Sequence, residues 1–214
     1  MRTVIINGGS IEDGFALGIL KKQPFDYMIA ADSDLEFLQR ANLTPDEILG
    51  DFDSVDPEVG AWYKKSGIRL TEFPPEKDST DMELAMMAAL ERGSSEILIL
   101  GATGTRLDHV LGSIQNLSMA ADRGITCTVI DPHTRIRMVR DSLTIRKSEQ
   151  FGKYVSVIPH GGDVEGLTLT GFYYPLDHAF LKADSALGVS NQITEEEARI
   201  FLRKGTVLVI ESRD

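Results

Sequence analysis

Apolar runs of strand length punctuate the first part of the chain, at Thr3 to Asn7, Tyr27 to Ala31, Ile68 to Phe73, Ile97 to Leu100 and Thr126 to Ile130. Between them apolar residues recur at helical spacing. Met82, Ala85, Met86, Ala89 and Leu90 form one stripe ahead of Gly93, and Leu107, Val110, Leu111, Ile114 and Leu117 form another ahead of Gly124. This alternation predicts a mainly parallel sheet covered by helices, with ligands bound at the carboxyl ends of the strands. Glu47-Ile48-Leu49-Gly50, by contrast, reads as a poor strand.

From about residue 135 the pattern changes to short β-rich runs separated by Gly, Pro, Asn and Asp, among them Leu143 to Arg146, Tyr154 to Ile158, Leu167 to Leu169 and Thr206 to Ile210. Strands without intervening helices predict a small antiparallel sandwich or barrel. The segment Thr194-Glu195-Glu196-Glu197 has the form of a helix capping box, but Ala198, Ile200 and Leu202 alternate with Arg199 and Arg203 as in a half-buried strand, and a strand is expected. The expected class is α/β. An N-terminal, mainly parallel α/β domain spans 1–132 and a C-terminal antiparallel β-sandwich spans 133–214, divided near Asp131-Pro132-His133.

Composition narrows the function classes. With 42% hydrophobic and 26% charged residues over 214 positions, the chain has the balance of a globular protein and not of a disordered one. A formal net charge of −11 argues against a nonspecific polyanion-binding surface, so no nucleic-acid partner is expected. It does not exclude a nucleotide site, where a metal can carry the positive charge. Cys127 is the sole cysteine, which rules out an intramolecular disulfide, speaks against a zinc cluster and fits a buried structural thiol. No segment approaches the roughly 20 apolar residues of a membrane helix. Residues Met1 to Gly9 read as a strand running into a glycine turn, without a long apolar stretch or a small-residue cleavage site, so a cytoplasmic location without a membrane partner is expected.

Acidic and polar clusters fall where strands or loops meet helices: Ala31-Asp32-Ser33-Asp34, Gly50-Asp51-Phe52-Asp53-Ser54, Lys77-Asp78-Ser79-Thr80-Asp81, and the stretch from Gly101 to His109. In a parallel sheet these positions can converge on one edge. Asp51 and Asp53, spaced i, i+2, project to one side of an extended segment. Magnesium suits such a pair, because it takes one or two carboxylates, keeps several waters and bridges phosphate oxygens; Asp81 could approach from the next cluster. Capping is the competing reading. Asp56-Pro57-Glu58 suffices to start a helix, and Thr80 with Glu83 makes a capping box. Capping leaves the Asp51–Asp53 pair unexplained, since Asp56 can cap that helix alone.

The stretch "GATGTRLDH" at 101–109 follows an apolar run and precedes a helix, where backbone amides can approach phosphate, although it lacks the Gly-Lys-Ser/Thr of a Walker loop. Arg106 is a candidate phosphate clamp, and Asp108 could orient it or touch the ligand. The alternative is a turn at Gly104 and a surface ion pair between Arg106 and Asp108. His109 is read as a structural hydrogen-bonding group, and His133, His160 and His178 have no ligand spacing.

Taken in order, these clusters resemble the thiamine pyrophosphokinase family. The resemblance is carried by "PDEILGDFDSVDPE" at 45–58, "KDSTDMELAM" at 77–86, "GATGTRLDHVLGSIQNL" at 101–117, "GFYYPL" at 171–176 and "GVSNQI" at 188–193. It implies a homodimer of two-domain subunits that transfers a pyrophosphoryl group from Mg-ATP to the hydroxyl of thiamine, releasing AMP. Asp32 matches the family's first acidic motif, Asp51 and Asp53 its metal-binding motif, Thr80 and Asp81 the next, and Arg106 and Asp108 the one after. The implied magnesium ligands are Asp51, Asp53 and Asp81. The nucleotide would be held by Asp32, Thr80, Arg106 and Asp108, and Arg106 would add a fixed cation to catalysis. Tyr174 looks like the aromatic that packs on the vitamin, with Ser190 and Asn191 the polar group beside it. The resemblance also implies a pocket shared between subunits, so that Tyr174 and Ser190 serve the partner's ATP site. One departure bears on the nucleotide pocket: family members commonly carry glycine shortly after the first aspartate, where this chain reads Asp32-Ser33-Asp34.

Two rivals remain open at this level. The Asp-x-Asp spacing of "DFDS" also fits a magnesium-dependent phosphohydrolase of the haloacid dehalogenase type, whose first aspartate is a nucleophile at the end of an early strand. The poor strand at Glu47 to Gly50 and the lack of a downstream lysine motif count against it. A non-catalytic thiamine or nucleotide sensor on the same fold is the other.

Overall fold

The computed structural model describes residues 1–31, 35–50, 57–72 and 79–214. The chain divides into a unit of Met1–Pro132 and a unit of His133–Asp214. In the first, strands and helices alternate: β1 (Arg2–Ile6), α1 (Asp13–Lys22), β2 (Tyr27–Ala31), α2 (Leu35–Arg40), β3 (Glu47–Gly50), α3 (Pro57–Lys65), β4 (Arg69–Glu72), α4 (Asp81–Glu91), β5 (Glu96–Leu100), α5 (Leu107–Ala121) and β6 (Thr126–Ile130). The strand order is β4-β3-β2-β1-β5-β6, and these neighbours pair in parallel. Val4, Ile5, Ile6, Ile29, Ile48, Ile97 and Ile99 are buried whichever face they occupy. Burial of consecutive residues, and so of both faces of this parallel sheet, explains why its strands read as continuous apolar runs.

Glu47 to Gly50 corrects the sequence reading. It is a strand, buried at all four positions and paired with β2 on one side and β4 on the other. The leading glutamate misleads because its charge is met inside the fold. Glu47, 2% exposed, accepts from Arg92 Nε at 2.8 Å, Tyr27 OH at 3.3 Å and Thr71 Oγ1 at 3.3 Å, and pairs with Arg69 Nε at 3.2 Å. Burial first, and the Glu47 charge second, raise the Tyr27 phenol above its usual range.

The stripe of α4 is buried as its spacing requires. That of α5 is not uniform: Leu117 is buried, while Leu107 and Leu111 are 67% and 53% exposed. Helices α1 and α2 were not apparent from periodicity.

The second unit is all β. Strands β7 (Thr134–Val139), β13 (Val207–Ser212) and β9 (Tyr154–Pro159) pair antiparallel as one layer. Strands β11 (Leu176–Leu181), β10 (Val164–Thr170), β12 (Glu197–Phe201) and β8 (Ser142–Arg146) form another. Val139, Val155, Val157, Val207 and Val209 from the first layer share one core with Ile145, Val164, Leu167, Leu169, Ala198 and Ile200 from the second. This is a sandwich, not a barrel. The ambiguous 194–203 segment resolves as β12, whose Ala198 and Ile200 point inward while Arg199 and Phe201 face out.

Candidate active site

From β1 the chain builds the sheet in one direction through β2, β3 and β4, then returns to add β5 and β6 on the other side. The connections from β1 to β2 and from β5 to β6 therefore run in opposite directions along the sheet. That divergence opens a crevice at the carboxyl ends of the two strands, the usual ligand position in an open parallel sheet. A cavity of about 690 Å³ lies there, lined by the loop Asn7 to Ser10, the loop Gly101 to Arg106, and the first turns of α4 and α5. Such a volume suits a small-molecule ligand.

The two loops are joined through their backbones. Gly9 N donates to Gly101 O at 2.7 Å and Ser10 N to Thr103 O at 2.7 Å. The Asn7 side-chain amide adds a bond to Gly101 O at 3.2 Å. A Cβ on Gly9 would land against Gly101 O and Thr103 O, closer than any real contact allows, so only glycine permits this approach. From sequence alone, Met1 to Gly9 reads only as a strand running into a glycine turn. The signal that could have marked it was its position: a Gly-Gly pair in the first strand-to-helix turn of a parallel sheet.

Thr80 caps α4, its Oγ1 accepting from Glu83 N at 3.2 Å, and so performs the capping role that competed with a ligand role. Asp81 follows in the first turn and lines the cavity. Arg106 occupies the N-cap of α5, but its side chain caps no backbone N–H of that helix. Instead its guanidinium donates to both oxygens of Asp108, at 2.7 Å and 3.4 Å. Both side chains are exposed, 68% and 66%. The Arg106 hydrogen bond holds the Asp108 carboxyl below the usual carboxylate range. The structure thus brings Thr80, Asp81, Arg106 and Asp108 to one cavity. His109 also lines it, in the first turn of α5.

Asp32, Asp51 and Asp53 lie outside the described residues, as do Ser33, Asp34, Lys77 and Asp78. In sequence, Asp51 directly follows Gly50, the last residue of β3. Among the described residues no group of three His, Cys, Asp or Glu could hold a metal ion. The donor chemistry nevertheless fits magnesium, which needs only one or two protein carboxylates beside phosphate and water; Asp81 lines the cavity as one.

In the second unit, Tyr173 and Tyr174 are 64% and 65% exposed and meet edge to face at 4.8 Å between centroids. Ser190 adopts φ 60° and its N–H donates to Ser156 Oγ at 3.0 Å. Asn191 is only 4% exposed. The structure brings Asn191 against the Tyr174 backbone, with Ser190 adjacent in the chain.

Comparison with known proteins covers both units. Residues 21–129 match the family model "Thiamin pyrophosphokinase, catalytic domain", and residues 142–207 match "Thiamin pyrophosphokinase, vitamin B1 binding domain". Thiamine pyrophosphokinase of Bacillus subtilis (strain 168) is 34% identical over 186 residues, which is 87% of each chain. The crystal structure of the Bacillus subtilis enzyme superposes over all of both chains with a TM-score of 0.88 at 32% identity. That of thiamin pyrophosphokinase from Geobacillus thermodenitrificans gives 0.86 at 30% identity, covering 100% of this chain and 98% of the other.

Proposed function

This chain belongs to the thiamine pyrophosphokinase family, and on that premise we propose that it transfers the pyrophosphoryl group of ATP to the hydroxyl of thiamine, giving thiamine diphosphate and AMP. One observation supports this above others. A single cavity at the β1/β5 divergence is lined by parts of both "KDSTD" and "GATGTRLDH", with two helix N-termini beside a glycine-rich floor. Backbone N–H groups and positive helix ends favour phosphate.

In the reaction the thiamine hydroxyl oxygen bonds to the β-phosphorus while the bond from that phosphorus to the oxygen retained by AMP breaks, and the hydroxyl proton is released to water. Little covalent chemistry falls to the protein, so holding the two substrates in line and offsetting charge on the phosphate oxygens dominate. Arg106 supplies a fixed cation, and Asp108 holds it in place until phosphate arrives. Asp32 and Thr80 complete the nucleotide site. Asp51, Asp53 and Asp81 would hold magnesium, which would neutralise the triphosphate. Tyr174 offers an aromatic face to the cationic thiazolium or the pyrimidine of thiamine, with Ser190 beside it. The protein works in the cytoplasm as a homodimer, each Tyr174 serving the partner's ATP site. No helix among the described residues is long and apolar enough to cross a membrane.

The strand at Glu47 to Gly50 removes one argument against a phosphohydrolase, since Asp51 does follow a strand. The family matches over both units are what disfavour that rival. Incubation with Mg-ATP and thiamine decides: equal amounts of AMP and thiamine diphosphate support the proposal. Inorganic phosphate with a trappable phosphoaspartate, or binding without turnover, would overturn it.

A further inference from the structure

We propose that Asn191 is a positioning residue which acts on thiamine through Tyr174 and does not itself touch the substrate; this rests on the thiamine-site reading above. The amide of Asn191 is already committed to backbone. Its Oδ1 accepts from Tyr174 N at 3.0 Å and from Gln192 N at 2.9 Å, which fills both lone pairs. Its Nδ2 donates to Tyr174 O at 2.8 Å. One side chain thus grips both the N–H and the C=O of a single residue, as a neighbouring strand would. At 4% exposure its one remaining N–H has no open approach for a ligand.

The clamp is itself anchored. Asn191 N donates to Val155 O at 3.0 Å, and Val155 N to Asn191 O at 2.8 Å, tying it to a fully buried position of β9. Tyr173 N donates to Gln192 O at 2.8 Å, so the backbones of both tyrosines are fixed from the same segment. The Tyr174 ring gains little restraint from packing, being 65% exposed with Tyr173 as its aromatic neighbour. An exposed ring keeps a defined direction only if its backbone is held. Asn191 supplies that hold, and lowers the ordering needed when an aromatic ligand stacks.

A double-mutant cycle tests this, with KM for thiamine and for ATP measured on the wild type, Asn191→Ala, Tyr174→Ala and the double variant. Asn191→Ala should raise the thiamine KM by about tenfold, the scale of one lost aromatic contact. The ATP KM should stay within about twofold, and the double variant should be no worse than Tyr174→Ala. Asn191→Asp keeps both acceptor bonds but sets an oxygen against Tyr174 O. It should give the same selective rise, and it replaces Asn191→Ala in the cycle if the alanine variant does not fold. Additive losses, or equal losses for ATP and thiamine, would overturn the positioning role alone. A Tyr174→Ala variant with unchanged thiamine KM would overturn the thiamine-site reading and this proposal together.

Discussion

Arg106 and Asp108 show how one pair satisfies two readings at the residue scale. As an exposed ion pair it adds little to stability, so its place in the lining of the roughly 690 Å³ cavity is consistent with the proposed nucleotide-binding role. Arg106→Ala should raise the ATP KM by about tenfold or more, the scale of one charge-assisted bidentate contact, while the urea midpoint stays unchanged. The Asp108 carboxyl is held below its ordinary range, so the pairing is in force above the ordinary carboxylate pKa and is lost only as pH falls through the lowered value. The ATP KM of the wild type should therefore be flat through neutral pH and rise only in acid. Asp53→Asn removes a proposed magnesium ligand without changing side-chain volume, and turnover should vanish while the melting temperature stays within a few degrees. Unfolding of that variant would instead mark Asp53 as structural. Spacing alone made these residues candidates, but spacing could not say that Arg106 and Thr80 reach one cavity, because they sit 26 positions apart and meet only through the order of the strands.

Elements were legible to the degree that their burial was one-sided or complete. The α4 stripe and the β2 and β6 runs were read correctly because each side chain's environment follows from its own periodicity. β3 was misjudged because Glu47 is neutralised by partners on β2, β4 and the end of α4 that no local window contains. Among the described residues, removing Arg92 leaves that carboxylate buried with only the exposed Arg69 as cation. Arg92→Ala should cost about 3 kcal/mol in urea unfolding, near the lower end for breaking a buried pair. Thr80→Ala tests the cap by itself and should cost about 1 kcal/mol, with the ATP KM moving further only if the hydroxyl also meets the nucleotide. In the sandwich, β12 was legible because Ala198, Ile200 and Leu202 alternate with Arg199 and Arg203, and the structure buries Ala198 and Ile200 accordingly.

Assembly is where the proposal for the whole molecule is tested. A homodimer predicts a sedimenting mass of about twice the 23.6 kDa chain. If each site takes Asp53 from one subunit and Tyr174 from the other, Asp53→Asn and Tyr174→Ala subunits mixed equally should recover about a quarter of wild-type activity, since half the dimers are mixed and each mixed dimer has one intact site. No recovery after confirmed exchange would place both residues of a site in one subunit. By itself the sequence determined the change from alternating helices and strands to strands alone, the buried periodicities, and the motifs that identify the family, because each depends on residues near one another in the chain. The tertiary structure alone decided that β1 and β5 lie side by side, that Gly9 meets Gly101 and Thr103 backbone to backbone, and that the Asn191 amide closes on Tyr174. Those contacts depend on which distant segments become neighbours, and strand order settles that in ways no local window of sequence carries.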